Sequence, residues 1–242
     1  TIMLNRPDML NAVNEQLVWD LQKATENVMN DDSVKVVILT GAGRGFSAGA
    51  DLSERKASWS GSKDALIRGY KPSFENIINM PKPVIASVPG PAAGIGAALA
   101  MSCDLRVMSE DSYLLSVFSN IALVPDGGLS WFLPKFMGYA KAYEHAIEAK
   151  KILASDCLKY GIANKVVPSD QLEQITLDWA NQLAKRSSQS LNHTKRLMRE
   201  SLAMSYWDTF SNEAEIQNEL TVSDQNREAV KAFFEKREPN FD

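Results

Sequence analysis

Gly45-Phe46-Ser47-Ala48-Gly49-Ala50-Asp51-Leu52 stands just after an almost continuous apolar run, Val34-Lys35-Val36-Val37-Ile38-Leu39-Thr40, which Gly41-Ala42-Gly43 closes. A run of that kind suits a strand covered on both faces, as in a parallel sheet between helices. The same order of strand, glycine turn and helix recurs further on. Pro83-Val84-Ile85-Ala86-Ser87-Val88 leads into Pro89-Gly90-Pro91-Ala92-Ala93-Gly94-Ile95-Gly96, and small residues continue as a helix from about Ala97 to Ser102. Glycines at such turns admit close backbone approach, and the first N–H groups of the helix lack intrahelical partners. If the two turns converge, their amides form a pocket for one oxygen that gains negative charge during a reaction, with the helix dipole adding to the field. A phosphate cradle is disfavoured, because GxxxxGK[ST] is absent and Phe46 stands where a dinucleotide fingerprint needs glycine. On spacing alone, an oxyanion hole and a pair of tight structural corners are equally supported.

Working outward, Thr1 to Asn5 reads as the end of a strand and Arg6-Pro7-Asp8 as a turn. Leu10, Val13, Leu17, Leu21, Ala24 and Val28 then recur at helical spacing, with Asn14 as a plausible N-cap. Residues 53–72 are rich in Ser, Lys and Gly (Ser58-Trp59-Ser60-Gly61-Ser62-Lys63), which predicts a mobile stretch able to cover a site. Leu105 to Met108 is a further strand, and residues 129–151 read as mostly helical with a break at Pro134. Ser155 is expected to cap a short helix that Gly161 closes, and residues 170–185 and 191–204 continue as amphipathic helices. The expectation is one α/β layered domain with a helical C-terminal third and no linker.

Composition narrows the function classes. The chain has 242 residues, with 26 Lys+Arg against 30 Asp+Glu, and is 45% hydrophobic and 23% charged, a globular balance. The longest apolar stretch, Ile95 to Met101, falls far short of the ~20 residues that span a bilayer. A net charge of −4 argues against nucleic acid as a partner, and Lys185-Arg186 and Lys195-Arg196 are only short basic pairs. Cys103 and Cys157 have no CxxC spacing, so neither a disulfide framework nor a thiolate metal site is indicated and a reducing compartment fits. His145 and His193 each lack a second histidine at i+4, and no GxSxG elbow is present, so no metal is expected and the chemistry falls to carboxylates and backbone amides.

The residues resemble a known family. Leu4-Asn5-Arg6-Pro7, the stretch 45–52, Pro81-Lys82-Pro83-Val84-Ile85-Ala86, and Ala93-Gly94-Ile95-Gly96 through Cys103-Asp104 are similar to the enoyl-CoA hydratase/isomerase (crotonase) superfamily. So are Gly161-Ile162-Ala163-Asn164-Lys165-Val166-Val167 and Ala232-Phe233-Phe234-Glu235-Lys236-Arg237, the match running in order from residue 1 to 241. The resemblance implies a crotonase-like spiral of ββα repeats, with residues 1–188 as catalytic core and 189–242 as a helical region for trimers or hexamers and part of the CoA site. It implies an acyl-CoA thioester as substrate, with no cofactor beyond its own CoA, and a cytoplasmic setting, an organellar matrix being the alternative. It gives the amides of Ala50 and Ile95 the thioester oxygen as it becomes an enolate. Ala48, Gly49, Ala50, Asp51 and Leu52, with Gly94, would lie along the CoA, and Phe233 and Lys236 would reach its nucleotide end. Ile95 stands where relatives often have glycine. The sequence opens on Thr1, compatible with a preceding targeting segment, and ends without an SKL-like address.

Hydratases of this family use two glutamates, and the matching positions carry Ala98 and Phe118, neither of which can move a proton. The remaining acid is Asp126 in Val124-Pro125-Asp126-Gly127-Gly128, at the position of the acid in Δ3,Δ2-enoyl-CoA isomerases and epoxyphenylacetyl-CoA isomerases. One carboxylate suffices for a double-bond shift, taking a proton from C2 and returning it at C4. An apolar surround of Phe118, Leu123, Val124 and Trp131 would raise its pKa and strengthen it as a base. The structural alternative for Asp126 is an N-cap on the helix near Leu129. Asp51 and Asp104 are expected to be turn and strand-end hydrogen-bonding residues, and Glu54, Glu75 and Glu110 solvated. A hydratase, a ring-opening or ring-expanding enzyme, and a catalytically silent acyl-CoA scaffold stand as alternatives. A dehalogenase-type nucleophilic aspartate is discounted, since it needs a histidine upstream of the second glycine turn.

Overall fold

The computed structural model describes residues 1–54 and 58–241. After β1 (Ile2–Leu4), the fully buried Asn11 accepts from the Arg6 N–H and donates to the carbonyls of Ala42 and Gly45, stapling this loop to the turn after the next strand. Helix α1 (Glu15–Met29) starts where Asn14 Oδ1 accepts from Leu17 N at 3.1 Å, as the capping pattern predicted. Leu10 and Val13 precede it, Leu10 in a left-handed conformation (φ 50°), so the apolar periodicity outran the helix.

Strand β2 (Val37–Gly41) is followed by α2 (Ser62–Asp64), a π-helical segment (Ala65–Tyr70) and α3 (Lys71–Asn79). Most of the stretch anticipated as mobile is therefore helical, while residues 55–57 lie outside the described residues. Its small residues serve packing: a Cβ on Gly69 would stand 2.9 Å from the Trp59 indole, which itself lies 5.3 Å from the Trp19 ring. Ser58 donates from its N–H (2.8 Å) and hydroxyl to Glu15, holding this strap on α1.

The chain then lays down β3 (Val84–Val88), β4 (Ala92–Ala93), α4 (Ile95–Ser102), β5 (Leu105–Ser109) and β6 (Tyr113–Leu115). Next come α5 (Leu129–Met137), α6 (Tyr139–Ile147), β7 (Lys151–Leu153), α7 (Ala154–Lys159) and β8 (Lys165–Val167). Four helices finish the chain: α8 (Leu172–Ala184), α9 (Ser188–Glu200), α10 (Tyr206–Thr221) and α11 (Asp224–Glu235). Helix α5 runs through Pro134 and stops at Gly138, whose φ of 76° suits glycine, so the expected break is displaced. Ser155 lies inside α7, whose capping position is Leu153 and not the serine.

Five parallel strands form the main sheet in the order β1-β2-β3-β5-β8, and β4-β6-β7 form a smaller one. The segments β3, β4, α4 and then β5, β6, α5 each place one strand in either sheet before a helix, which is the ββα repeat of the expected spiral. β3 is buried at every position, with Val84, Ala86 and Val88 in the main core and Ile85 in a second cluster under α8 with Val107, Val167, Leu172 and Ala180. Burial on both faces explains why the strand reads as a continuous apolar run.

Helix α9 buries no residue fully and is held by charge-assisted bonds. Asp104, between α4 and β5, accepts from Lys195 Nζ at 2.8 Å, Arg199 at 2.6 Å and the Val84 N–H at 2.9 Å. Lys195 also donates to the carbonyls of Ile77 and Lys82, and Arg199 to that of Ser102. Removing one partner of such a pair leaves the other charge uncompensated, so Asp104→Ala should lower unfolding free energy by about 3 kcal/mol or more in urea titrations. A loss below about 1 kcal/mol would mean that α9 is anchored by other contacts.

Candidate active site

The two glycine turns meet at backbone distance. Ser47 bridges to Ala92, the Ala93 N–H donates to Ser47 O at 2.9 Å, and the N–H groups of Phe46 and Ser47 both donate to Pro91 O. A Cβ on Gly96 would lie 2.6 Å from Ser47 Cβ, and one on Gly49 (φ +97°) 2.8 Å from Ala93 O and 3.6 Å from Gly94 Cα. No side chain fits at either place, so the crossing requires glycine. Of the amides in the first turn, Ala48 donates to Leu10 O, Gly49 to Ser47 Oγ and Asp51 to Val13 O. That pattern leaves the Ala50 N–H without an acceptor among the described residues. Beside it, the Ile95 N–H opens α4 and has no intrahelical acceptor. The two expectations that spacing left level are thus compatible: these are tight corners, and they leave two neighbouring amides open.

The Asp126 loop rests on the same helix end. Gly127 (φ +59°) packs so closely that a Cβ there would stand 2.6 Å from Ala98 Cβ and 2.7 Å from Ile95 Cδ1. The Phe118 ring lies within 3.8 Å of a Cβ built on Gly94. The two positions at which the resemblance placed the hydratase glutamates therefore do adjoin this site, and they present a methyl group and a phenyl ring.

Asp126 is not an N-cap. The capping position of α5 is Gly128, with no side-chain cap, and Leu129 N donates to the main-chain oxygen of Asp126 at 3.1 Å. Its Oδ1 is buried without a hydrogen-bond partner among the described residues, and burial pushes the carboxyl pKa up to about 6. The carboxyl lines a cavity of about 650 Å³ walled by Leu66, Tyr70, Phe74, Ile78, Trp131 and Phe132. Trp131 belongs to the surround as expected. Leu123 and Val124 do not: they are exposed and line a separate groove with Leu133 and Tyr143. Their place is taken by the π-helical segment and α3, so part of the stretch 53–72 does cover the site as expected, as helix and not as mobile chain. Burial, reinforced by the charges of Asp126 and Glu54, pushes the Tyr70 hydroxyl up to about 12, so it stays a proton donor at the cavity wall.

The remaining candidates are placed as follows. Asp51 receives Arg6 at 3.0 Å, and the Ser53 hydroxyl foremost, with Arg6 next, holds its carboxyl below the usual range. Ala48, Ala50 and Leu52 are exposed around the buried Gly49. Phe233 is 77% exposed beside Phe234, and Lys236 ends α11; neither lines the Asp126 cavity. Glu54, expected to be solvated, instead accepts from the Glu15 N–H, the first amide of α1, at 2.9 Å. Glu75 pairs with Lys71 at the cavity rim, and Glu110 is exposed. His145 and His193 lie outside the cavity, and burial pushes both free thiols, Cys103 and Cys157, up to about 12. Among the described residues no cluster of three His, Cys, Asp or Glu could hold a metal, and no helix is long and apolar enough to cross a membrane.

The raised pKa links Asp126 to stability. A carboxyl held above its unfolded value of about 3.9 favours folding while protonated, and that contribution is lost as pH rises through about 6. Asp126→Asn should therefore be more stable than the parent near pH 7.5, by up to about 3 kcal/mol, and equal to it near pH 4. Urea unfolding at the two pH values measures both terms, and identical differences at both would refute a costly ionisation at this site.

Comparisons with known proteins agree with the geometry. The profile of the enoyl-CoA hydratase/isomerase family matches residues 1–242. The 1,2-epoxyphenylacetyl-CoA isomerase of Escherichia coli is 33% identical over 245 residues, covering 100% of this chain and 94% of the relative. The trans-2-decenoyl-[acyl-carrier-protein] isomerase of Streptococcus mutans is 31% identical over 247 residues, covering 100% and 93%. The crystal structure of an enoyl-CoA hydratase from Polaromonas sp. JS666 superposes with a TM-score of 0.92 at 28% identity, covering 98% of this chain and 94% of the other. Hydratase and isomerase names both occur among the relatives. By profile, sequence and fold, this chain belongs to the enoyl-CoA hydratase/isomerase family.

Proposed function

We propose that the protein is an acyl-CoA isomerase that converts 3-enoyl to 2-enoyl thioesters through an enolate, with Asp126 as its single acid and base. The observation that carries this reading is the partnerless Asp126 Oδ1 in an apolar cavity, set against Ala98 and Phe118 where a hydratase needs acids. The N–H groups of Ala50 and Ile95 receive the thioester oxygen. Asp126 takes a proton from C2, and the electron pair of that C–H bond forms C2=C3 only as the original C3=C4 bond takes a proton at C4 from the same carboxyl. Between the two transfers the charge rests on the thioester oxygen, where two amides and the end of α4 stabilise it. Losing one such donor typically costs roughly 3 kcal/mol of transition-state stabilisation. A carboxyl with pKa about 6 is a stronger base than a solvated aspartate and still ionised at neutral pH.

The same reading assigns Ala48, Gly49, Asp51, Leu52 and Gly94 to the CoA, and Phe233 and Lys236 to its nucleotide end, with no cofactor beyond that CoA. Residues 1–188 act as catalytic core and 189–242 as the oligomerising region of a homotrimer or hexamer. The exposed Tyr206, Trp207 and Phe210 on α10 support this, as they supply an apolar face for a second copy. Free thiols fit a cytoplasmic setting.

Purified protein should isomerise 3-enoyl-CoA, with kcat/KM rising as pH passes through about 6 and Asp126 ionises. Asp126→Asn should lower turnover by about 10²–10⁴ while still binding acyl-CoA. Fast hydration of 2-enoyl-CoA, or full turnover by the variant, would overturn the reading.

A further inference from the structure

Trp131 and Phe132 have a cavity on either side. Both line the chamber that holds Asp126, and both also wall a second cavity of about 470 Å³ beneath α9. The Lys135 ammonium sits 4.5 Å from the centre of the Trp131 ring and the Phe132 ring meets it edge-on at 4.9 Å, so the indole stands where the two cavities adjoin. Arg199 borders both cavities too, but its guanidinium is turned to Asp104 and the Ser102 carbonyl.

In the second cavity the ionised groups nearest α4 are already engaged, and the remaining polar side chains, Thr194 and Lys135, are exposed. Asp104 is taken by Lys195 and Arg199, and the Arg106 guanidinium donates to the main-chain carbonyls of Ile162, Ala100 and Cys103. What it presents is Met101, Leu105, Phe136, Leu191, Met198 and Leu202. An occupant held there is apolar and arrives from the neighbouring chamber. An aromatic acyl group compact enough for the first chamber makes no use of it.

We infer that the second cavity takes the distal part of a long straight-chain acyl group, whose thioester end lies at Asp126, so that this chain is built for long aliphatic acyl thioesters. The inference rests on the acyl-thioester reading above. Trp131 sets the boundary that the chain crosses, and the residues around Leu191 set how much of it is buried.

The test uses saturated acyl-CoA esters, from hexanoyl through octanoyl, decanoyl and dodecanoyl to tetradecanoyl, with binding measured by calorimetry. Saturated esters cannot isomerise, so the readout does not depend on the chemistry of Asp126. Affinity of the full-length protein should keep rising past octanoyl, by up to about fourfold per buried methylene (about 0.8 kcal/mol). Leu191→Trp and Met198→Trp, which fill the second cavity without touching the first, should weaken tetradecanoyl-CoA by about tenfold or more and leave hexanoyl-CoA unchanged. Affinity that levels off at octanoyl, or tetradecanoyl binding untouched in both folded variants, would overturn the inference. Chain-length dependence without isomerase activity would uphold it while removing the proposed reaction. Failure of every ester to bind would remove both.

Discussion

Ser47 against Gly96 is the contact on which the molecule turns. Two strand-to-helix corners from separate repeats are pressed together until no side chain fits between them, and the Ala93 N–H to Ser47 O bond locks them at 2.9 Å. That single approach sets the open amide of Ala50 next to the first turn of α4. Gly127 repeats the device from the other side, letting the Asp126 loop settle on Ala98 and Ile95. The site therefore consists of one backbone crossing and one closely packed glycine, with a carboxylate set beside them.

The far end of α4 is as constrained as the near end. Among the described residues the buried Arg106 has no carboxylate partner and donates to carbonyls at that end of the helix, and Arg199 adds the Ser102 carbonyl. Cations on the last carbonyls match the negative end of the helix dipole, leaving the positive end for the site. Burial holds the Arg106 pKa below its usual value, so its hydrogen bonds are what keep the charge tolerable. The anchoring of α9 through Asp104 lies at this same end, and the helical C-terminal region and the site thus share one short helix.

Much of this could be read in the residues, for identifiable reasons. β3 is buried on both faces and so writes itself as an unbroken apolar run, and Asn14 caps α1 because its amide oxygen reaches the third residue on. The glycine turns were visible, but their convergence was a statement about space that spacing cannot make. Asp126 was picked out by the family pattern, whereas its missing partner and its cavity emerged only with the fold. The stretch 53–72 misled as to mobility because serine and glycine are ambiguous: they mark loose chain, and equally they mark places where a bulky ring packs against helix backbone, as Trp59 does at Gly69. Leu123 and Val124 were expected around Asp126 and are exposed instead, and Glu54 was not foreseen as the acceptor for the first amide of α1.

The π-helical segment from Ala65 to Tyr70 sets the angular phase of the cavity wall. A π turn holds one more residue than the α turn it replaces, and each residue advances the helix by about 100°. Without that extra residue, the side chains on its N-terminal side would rotate about a third of a turn relative to α3. Leu66 and Phe74 would then no longer share a wall. The chamber around Asp126 thus depends on the extra residue of the π turn, which brings one stretch of helix into line with the next.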